Sequence, residues 1–160
     1  MILYINGNGH SAAAMSSTDF IAAEDDADLW YMGRAPHPSN LQRSFGAYIA
    51  SVLKARLLVE ADATNTNQDV INQTKKFIEN NLVTEQVIAI IGLPEYDQAQ
   101  FGEFGAYLKE QNIKHILYPS KDYVEWLTKR QHTANEFGYF DALAHKDWAG
   151  NLIKPLTRII

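Results

Sequence analysis

Short apolar runs alternate along the chain with longer segments in which apolar residues recur every three or four positions. The apolar runs predict four strands, at residues 2–6, 57–61, 86–92 and 114–118. The amphipathic segments predict helices, at residues 11–23, 41–54, 68–81, 97–111, 120–130 and 140–153. This alternation is typical of an α/β fold with a parallel sheet, so we expect three layers, α/β/α, joined by right-handed crossovers.

The third predicted strand indicates how the sheet is arranged. Residues 87–91 are apolar throughout, which fits a central parallel strand buried on both faces. We therefore expect a flavodoxin-like strand order, 2-1-3-4, with a crevice where strands one and three lie side by side. Ligands of open α/β sheets bind outside the carboxyl ends of the strands. The sequence thus predicts a site built from three turns, at residues 7–11, 62–67 and 92–97.

Composition narrows the classes of function. The 160 residues suit one domain, residues 1–160, and 46% of them are hydrophobic. The net charge of −5 does not indicate the excess of positive charge that favours binding to nucleic acid or to an anionic membrane. No apolar run could span a bilayer. Cysteine is absent, which rules out disulfides and thiolate metal sites. The N-terminal residues do not resemble a signal peptide, so we expect a cytoplasmic protein.

The five histidines do not predict a metal centre. No two of them have the i, i+4 spacing of a helical zinc site, so we expect neither a metal nor a cofactor. His37 and His132 lie in predicted loops and have no partner that the sequence identifies, whereas His115 lies inside a strand. His145 lies in the last predicted helix beside Trp148, where packing or a hydrogen bond accounts for it.

Four motifs, three of them in the predicted turns, follow one another along the chain. Gly7-Asn8-Gly9-His10-Ser11 follows the first strand, Thr64-Asn65-Thr66-Asn67 the second, and Gly92-Leu93-Pro94-Glu95 the third. Gly138-Tyr139 and Ala144-His145-Lys146-Asp147-Trp148-Ala149 form a closing block. In order and spacing, these motifs resemble those of the SGNH/GDSL hydrolases, in the compact form found among phage-encoded members.

The resemblance implies a hydrolase architecture in which two decisive side chains are substituted. In that family a serine after strand one is the nucleophile and a histidine of the closing block is its base. Here Gly9 stands at the nucleophile position and Tyr139 at the base position, with Asn8 replacing the motif aspartate. A phenol titrates near ~10 and is a poor proton acceptor at neutral pH. Glu136 could still serve as the carboxylate that orients the base.

The oxyanion-binding parts implied by the resemblance are only partly present. Asn67 and Gly92 remain, while the glycine of the second turn is replaced by Asn or Thr. Asn67 is equally well interpreted as the cap of the following helix, and the two roles can coexist because that helix begins at the crevice. We expect an SGNH-like domain that has lost ester hydrolysis and acts as a structural or binding module. The resemblance alone suggests that the chain is phage-encoded.

Two alternatives remain open at this stage. The first is an active esterase or deacetylase that uses the displaced residues Ser11 and His10, although a capping or packing serine and a turn histidine are the preferred interpretations of the two residues. The second is a dinucleotide binder, because Gly7-x-Gly9-x-x-Ala12 follows a strand and opens a predicted helix. Its acidic partner is expected ~20 residues later, and Glu60 and Asp62 come much too late for that role.

The expected partners follow from these alternatives. A degenerate hydrolase site is compatible with a small acyl or carbohydrate ligand. A structural module is compatible with a protein partner or a homo-oligomer. Neither nucleic acid nor a membrane is expected as a partner, and the location would be the cytoplasm of a host cell, or a virion if the chain is phage-encoded.

Overall fold

The computed structural model describes residues 1–13, 38–81, 85–135 and 138–160. Its sheet has four parallel strands: β1 (Ile2–Asn6), β2 (Arg56–Val59), β3 (Val87–Leu93) and β4 (Lys114–Pro119). Their order is β2-β1-β3-β4. The predicted three-layer α/β fold and its strand order are therefore confirmed.

The helices follow the predicted pattern with shifts at their ends. Within the described ranges none of them is long and apolar enough to cross a membrane. Their bounds are α1 (Pro38–Leu41), α2 (Phe45–Leu53), α3 (Asn67–Asn81), α4 (Gln98–Glu110), α5 (Ser120–Lys129) and α6 (Ala142–Ile159).

The single helix predicted at residues 41–54 is wrong, because this stretch is divided between α1 and α2. Ser44 breaks it, because its backbone is extended and its hydroxyl accepts a hydrogen bond from the Ala47 N–H at 3.1 Å. The same hydroxyl donates to the carbonyl of Leu41 at 2.8 Å, which ends α1. A serine side chain that bonds to nearby backbone competes with helix continuation and favours a helix start.

Two other predicted helix bounds are corrected. Residues 11–13, predicted to begin a helix, form a turn that Ala13 closes with a positive φ of 55°. The remainder of that predicted helix, like the apolar stretch at residues 29–32, lies outside the described residues. At the other end of the chain, α6 continues through Pro155 to Ile159 because Leu156 is fully buried and holds the last turn against the core.

Alternate residues of the central strands enter two separate cores. Leu3, Ile5, Ile88 and Ile90 face α2, α5 and α6, and share a core with Phe45, Tyr123 and Trp148. Ile2, Tyr4, Val87, Ala89 and Ile91 face α3 and α4 on the other side of the sheet. All seven residues of β3 are buried, as expected for a central strand covered on both faces. The register pairs Ile5 with both Val59 and Ile90, which brings the turns after β1, β2 and β3 to one edge.

Candidate functional site

The three predicted turns meet at Gly7, directly after β1. The Gly7 carbonyl accepts hydrogen bonds from the Asp62 N–H at 3.2 Å and from the Asn65 side-chain amide at 3.0 Å. Its φ of 154° disfavours any L side chain, and a Cβ at this position would collide with the Ser11 hydroxyl and lie 2.7 Å from the Gly92 carbonyl oxygen. Only glycine therefore lets the turns after β1 and β3 approach this closely.

Tyr139 packs directly on Gly9, which brings together the two positions that the resemblance assigns to the base and the nucleophile. A Cβ added at Gly9 would lie 2.6 Å from the Tyr139 hydroxyl oxygen and 2.8 Å from its Cε1 atom. The phenol thus occupies the space into which a side chain at position 9 would project. Burial raises the pKa of Tyr139 above its ordinary value, which makes its phenolate still less accessible at neutral pH.

The other residues of the predicted degenerate site have separate positions. The Asn8 side-chain oxygen accepts from the His10 backbone N–H at 3.1 Å, and the Asn8 carbonyl accepts from Ser11 and Ala12. Asn8 therefore shapes the turn, a role typical of asparagine. Glu136, the predicted orienting carboxylate, lies outside the described residues.

Ser11 is buried beneath the edge of the sheet and does not face an open crevice. Its side chain has 2% exposure, and its hydroxyl lies beside Gly7, Gly92 and the phenol of Tyr118. Burial raises the pKa of Tyr118 to about 12, an effect that the hydrogen bond with Ser11 partly offsets. The Ser11 hydroxyl is thus paired with a neutral phenol, which is too weakly basic to activate a serine.

The His10 ring is packed among aromatic rings. Its centroid lies 5.1 Å from that of Tyr123, 5.4 Å from that of Tyr139 and 6.3 Å from that of Phe140. Burial lowers the pKa of His10 to about 4, so the imidazole is neutral at pH 7 and is a weak base. Within the described part of the chain, its buried Nδ1 atom has no hydrogen-bond partner. No hydrogen bond from the Ser11 hydroxyl reaches this nitrogen, so the two predicted displaced residues do not form a nucleophile–base pair there.

His145 holds three helices together. Its Nδ1 atom accepts a hydrogen bond of 3.4 Å from the Phe45 N–H at the start of α2. Its Nε2 atom must then carry the proton, and it donates to the Tyr123 hydroxyl of α5 at 3.3 Å. Burial, with nearby His10 adding to it, lowers the pKa of His145 to about 3. The hydrogen-bonding role predicted for His145 is thus the one that the structure shows.

A second unpaired polar atom lies in the same region. The indole N–H of Trp148 is buried and lowers the pKa of the Tyr118 phenol, yet it has no hydrogen-bond partner among the described residues. The Trp148 ring packs edge-on against Tyr118, Tyr123 and Trp126. We call the side chains of His10, Ser11, Tyr118, Tyr123, His145 and Trp148 the histidine cluster.

Asn67 is not the cap of α3, which corrects the prediction. Thr66 is the cap, because its hydroxyl oxygen accepts from the Asp69 N–H while the Asp69 carboxylate accepts from the Thr66 N–H at 2.9 Å. The Asn67 amide donates to the Glu95 carbonyl and the Gln100 side chain, both at 2.9 Å, and its oxygen accepts from the Glu95 N–H. Asn67 therefore joins the turns after β2 and β3, and its polar atoms are already occupied.

Gly92, the other predicted oxyanion residue, is the sixth residue of β3 and lies against the histidine cluster. A Cβ at this position would be 3.1 Å from the Ser11 hydroxyl oxygen and 3.2 Å from the Tyr118 ring. Because glycine has no Cβ, position 92 leaves room for the side chains of Ser11 and Tyr118. The turn that follows β3 begins only after Leu93.

A polar network on the opposite face of the sheet was not predicted from the sequence. The Asn6 amide nitrogen lies 3.0 to 3.3 Å from four acceptors, while its oxygen accepts from the Gly7 N–H at 2.7 Å. Tyr4 donates to Glu60 at 2.6 Å, and burial raises the pKa of this phenol. We call this set the asparagine network: Tyr4, Asn6, Glu60, Val70, Gln73 and Thr74. An asparagine at the end of an apolar strand was the one signal that could have revealed it.

His132, for which the sequence identified no partner, does have one. Its Nε2 atom lies 3.0 Å from an Asp147 carboxylate oxygen, which also accepts from the Arg130 Nε atom at 2.9 Å. The Arg130 guanidinium lies 4.6 Å from the centre of the Trp126 ring. These contacts link the loop after α5 to the outer face of α6, away from the three turns.

Comparisons with models of known protein families, with curated proteins and with solved structures find no match for this chain. The site must therefore be interpreted from its own geometry. Among the residues described, no three His, Asp or Glu side chains are grouped in a way that could hold a metal ion.

Proposed function

We propose that this chain is an SGNH-like domain that does not hydrolyse esters and that acts as a binding or structural module. The observation that carries the proposal is the Tyr139 phenol lying against Gly9, where the resemblance would place the nucleophile and its base. A serine hydrolase needs a nucleophilic hydroxyl and an imidazole that accepts its proton, and positions 9 and 139 supply neither group. A small acyl or carbohydrate ligand would have to displace this ring to reach the turn.

The alternative of an esterase that uses displaced residues has less support. Ser11 is buried and paired with Tyr118, and His10 has a pKa of about 4. An effective general base has a pKa near the working pH. At pH 7 this pair would therefore supply neither an exposed nucleophile nor a strong base.

The dinucleotide alternative is also poorly supported. In the glycine-rich motif, the pyrophosphate binds at the N-terminus of the helix that follows the strand. Here Ala13, the residue directly after the motif, has a positive φ of 55°, which interrupts a helical backbone where the helix should begin. Glu60 is also engaged, by the Tyr4 hydroxyl.

A restoration experiment tests the proposal. We expect the unmodified protein neither to hydrolyse p-nitrophenyl acetate nor to react with a fluorophosphonate probe. Gly9→Ser with Tyr139→His should gain measurable activity and labelling, because it supplies the missing groups and replaces the ring that blocks position 9. Gly9→Ser alone is the matched control and should remain inactive, since the Tyr139 hydroxyl would lie 2.6 Å from the new Cβ atom.

Two results would contradict the proposal. Fluorophosphonate labelling of the unmodified protein that disappears in Ser11→Ala would show that Ser11 is the nucleophile after all. A well-folded double variant that gains no ester hydrolysis would show that positions 9 and 139 do not correspond to a nucleophile and its base. Circular dichroism and a thermal unfolding transition would establish that the double variant is folded.

A further inference from the structure

A groove on the outer face of α5 and α6 combines an aromatic floor with positively charged walls. It has a volume of about 340 Å³ and is lined by Trp126, Arg130, Asp147, Gly150, Asn151 and Lys154. A second groove of about 460 Å³ adjoins it at Asp147 and is lined also by His132, Leu143 and Lys146. We call the two together the α5–α6 groove.

The guanidinium of Arg130, which lines the first of the two grooves, is held by two contacts. It lies over Trp126, which is in turn packed edge-on against Trp148 at 5.4 Å between ring centroids. Its Nε atom donates to Asp147, whose pKa is lowered by the hydrogen bonds from Arg130 and His132. The two terminal nitrogens of Arg130 make no hydrogen bond to any described residue. This edge of the guanidinium can therefore donate hydrogen bonds to a ligand.

The charges of the groove differ in sign from the charge of the whole chain. Arg130, Lys146 and Lys154 line it, and among the described lining residues the only carboxylate is that of Asp147, which is already paired twice. The chain as a whole carries a net charge of −5. The groove is therefore a local positive area on an acidic protein, which favours a ligand with a few negative charges.

Leu143 adds an apolar element beside these charges. Its side chain is 66% exposed, the highest fraction among the exposed large hydrophobic residues of the described chain. Leu143, Lys146 and Lys154 lie along about three turns of α6, so this helix offers one apolar contact and two cationic ones to the groove. A peptide can present a carboxylate to these cations and an aliphatic side chain to Leu143 together, whereas a nucleic acid has phosphates for the cations but no aliphatic side chain for Leu143.

From these observations we infer that the α5–α6 groove binds an acidic peptide segment of a partner protein, in which Asp or Glu carboxylates alternate with apolar side chains. One carboxylate pairs with the terminal nitrogens of Arg130 above Trp126, and a second pairs with Lys146 or Lys154. An apolar side chain packs on Leu143. Neither Gly9 nor Tyr139 is among the described residues that line this surface, so the inference does not depend on whether the domain hydrolyses esters.

Fluorescence anisotropy with a labelled peptide tests the inference. The probe is fluorescein-Glu-Leu-Glu-Asp-Leu-Glu, and the neutral comparison peptide has Gln and Asn in place of Glu and Asp. The unmodified protein should bind the acidic probe at least tenfold more tightly than the neutral one at 50 mM salt, and several-fold more weakly at 300 mM. Arg130→Gln and Lys154→Gln should each weaken binding about tenfold.

Lys109→Gln is the matched control, because it removes the same charge from an exposed position of α4 outside the groove and should leave binding unchanged. In ¹⁵N-labelled protein, the acidic probe should shift the indole N–H resonance of Trp126 and the amide resonance of Gly150. Equal binding by unmodified protein, Arg130→Gln and Lys154→Gln would overturn the inference, as would an equal loss in Lys109→Gln.

Two further outcomes would replace the proposed occupant with another one. Tighter binding of a single-stranded oligonucleotide of the same charge, lost in Arg130→Gln, would assign the groove to nucleic acid. Concentration-dependent self-association in analytical ultracentrifugation that Arg130→Gln abolishes would assign it to a second copy of this chain. Either result would overturn the inference that a separate acidic peptide is the partner.

Discussion

The asparagine network and the histidine cluster lie under the same edge of the sheet, on its two opposite faces, and they differ in how their polar atoms are paired. Asn6 is fully buried, and both ends of its side-chain amide are hydrogen-bonded. In the histidine cluster, the Nδ1 atom of His10 and the Nε1 atom of Trp148 are buried without partners among the described residues. Both regions are polar, but among the described residues only the histidine cluster contains buried polar side-chain atoms without a hydrogen-bond partner.

The difference separates a structural role from a candidate functional one. A satisfied buried network stabilises the fold and leaves no polar atom for a ligand, whereas an unpaired buried donor or acceptor costs about 1–3 kcal/mol and persists only where other contacts offset it. Gly7 connects the two regions, since its N–H belongs to the asparagine network and its Cα lies against Ser11. The two regions should therefore respond differently to acid and to substitution.

Acidification should produce the largest effect, and it should act on the histidine cluster. His10 and His145 have pKa values of about 4 and about 3 in the folded protein, below the ordinary 6.5 that they recover on unfolding. Between pH 6.5 and pH 4 the unfolded state therefore binds protons that the folded state does not. The stability that the neutral rings contribute is fully present above pH 6.5 and is lost as the pH falls, by on the order of 5 kcal/mol for both rings at pH 4.5.

Urea unfolding at pH 7.5 and at pH 4.5 measures this loss. His145→Gln is the informative variant, because glutamine can accept from the Phe45 N–H and donate to Tyr123 without titrating. The difference in the free energy of unfolding between the two pH values should fall by about half in this variant. An unchanged difference would mean that His145 does not contribute to the acid sensitivity.

Removing the centre of the asparagine network should have the next largest effect. Asn6→Ala leaves the Gly7 N–H without its acceptor and the acceptors around Asn6 without their donor, at a cost of about 3 kcal/mol in the free energy of unfolding. Asn65→Ala is the matched control: Asn65 is only partly buried and also bonds to Gly7, so we expect a cost of about 1 kcal/mol. Equal losses in the two variants would contradict the difference in burial on which this comparison depends.

The smallest effect is expected where a polar atom is already unpaired. His10→Phe replaces an imidazole whose Nδ1 atom has no partner with an apolar ring of similar shape, so the free energy of unfolding should change by no more than about 1 kcal/mol. His145→Phe, the matched variant, removes two hydrogen bonds and should cost about 2–3 kcal/mol. A loss of more than about 2 kcal/mol in His10→Phe would show that its ring makes a stabilising polar contact.

The sheet could be predicted from the sequence because its signal is local. Apolar runs at residues 2–6 and 87–91 are sufficient to identify β1 and β3, and the parallel order follows from the helices between the strands. The proximity of Gly9 and Tyr139 was also predictable, although only through the resemblance. No periodicity indicates which loop residue will pack against a turn.

The hydrogen-bonded details of the site could not be predicted in the same way. Whether Thr66 or Asn67 caps α3 depends on which of the two side chains is engaged by Glu95 and Gln100. These two residues belong to the turn after β3 and to α4, far from α3 in the sequence. The Arg130–Asp147–His132 contact likewise joins a loop to a helix face that becomes adjacent only after packing. Tertiary contacts of this kind override local preference, and a sequence pattern does not carry them.

The contact between Gly9 and Tyr139 has a consequence for how the chain folds. The two residues are 130 positions apart in the sequence, so the conformational entropy of nearly the whole chain opposes their meeting. The phenol can settle on the glycine only after β1, β4 and the helices of that face have assembled. The turn at Gly9 should accordingly become ordered late during refolding, and its amide should exchange with deuterium sooner than those of β3.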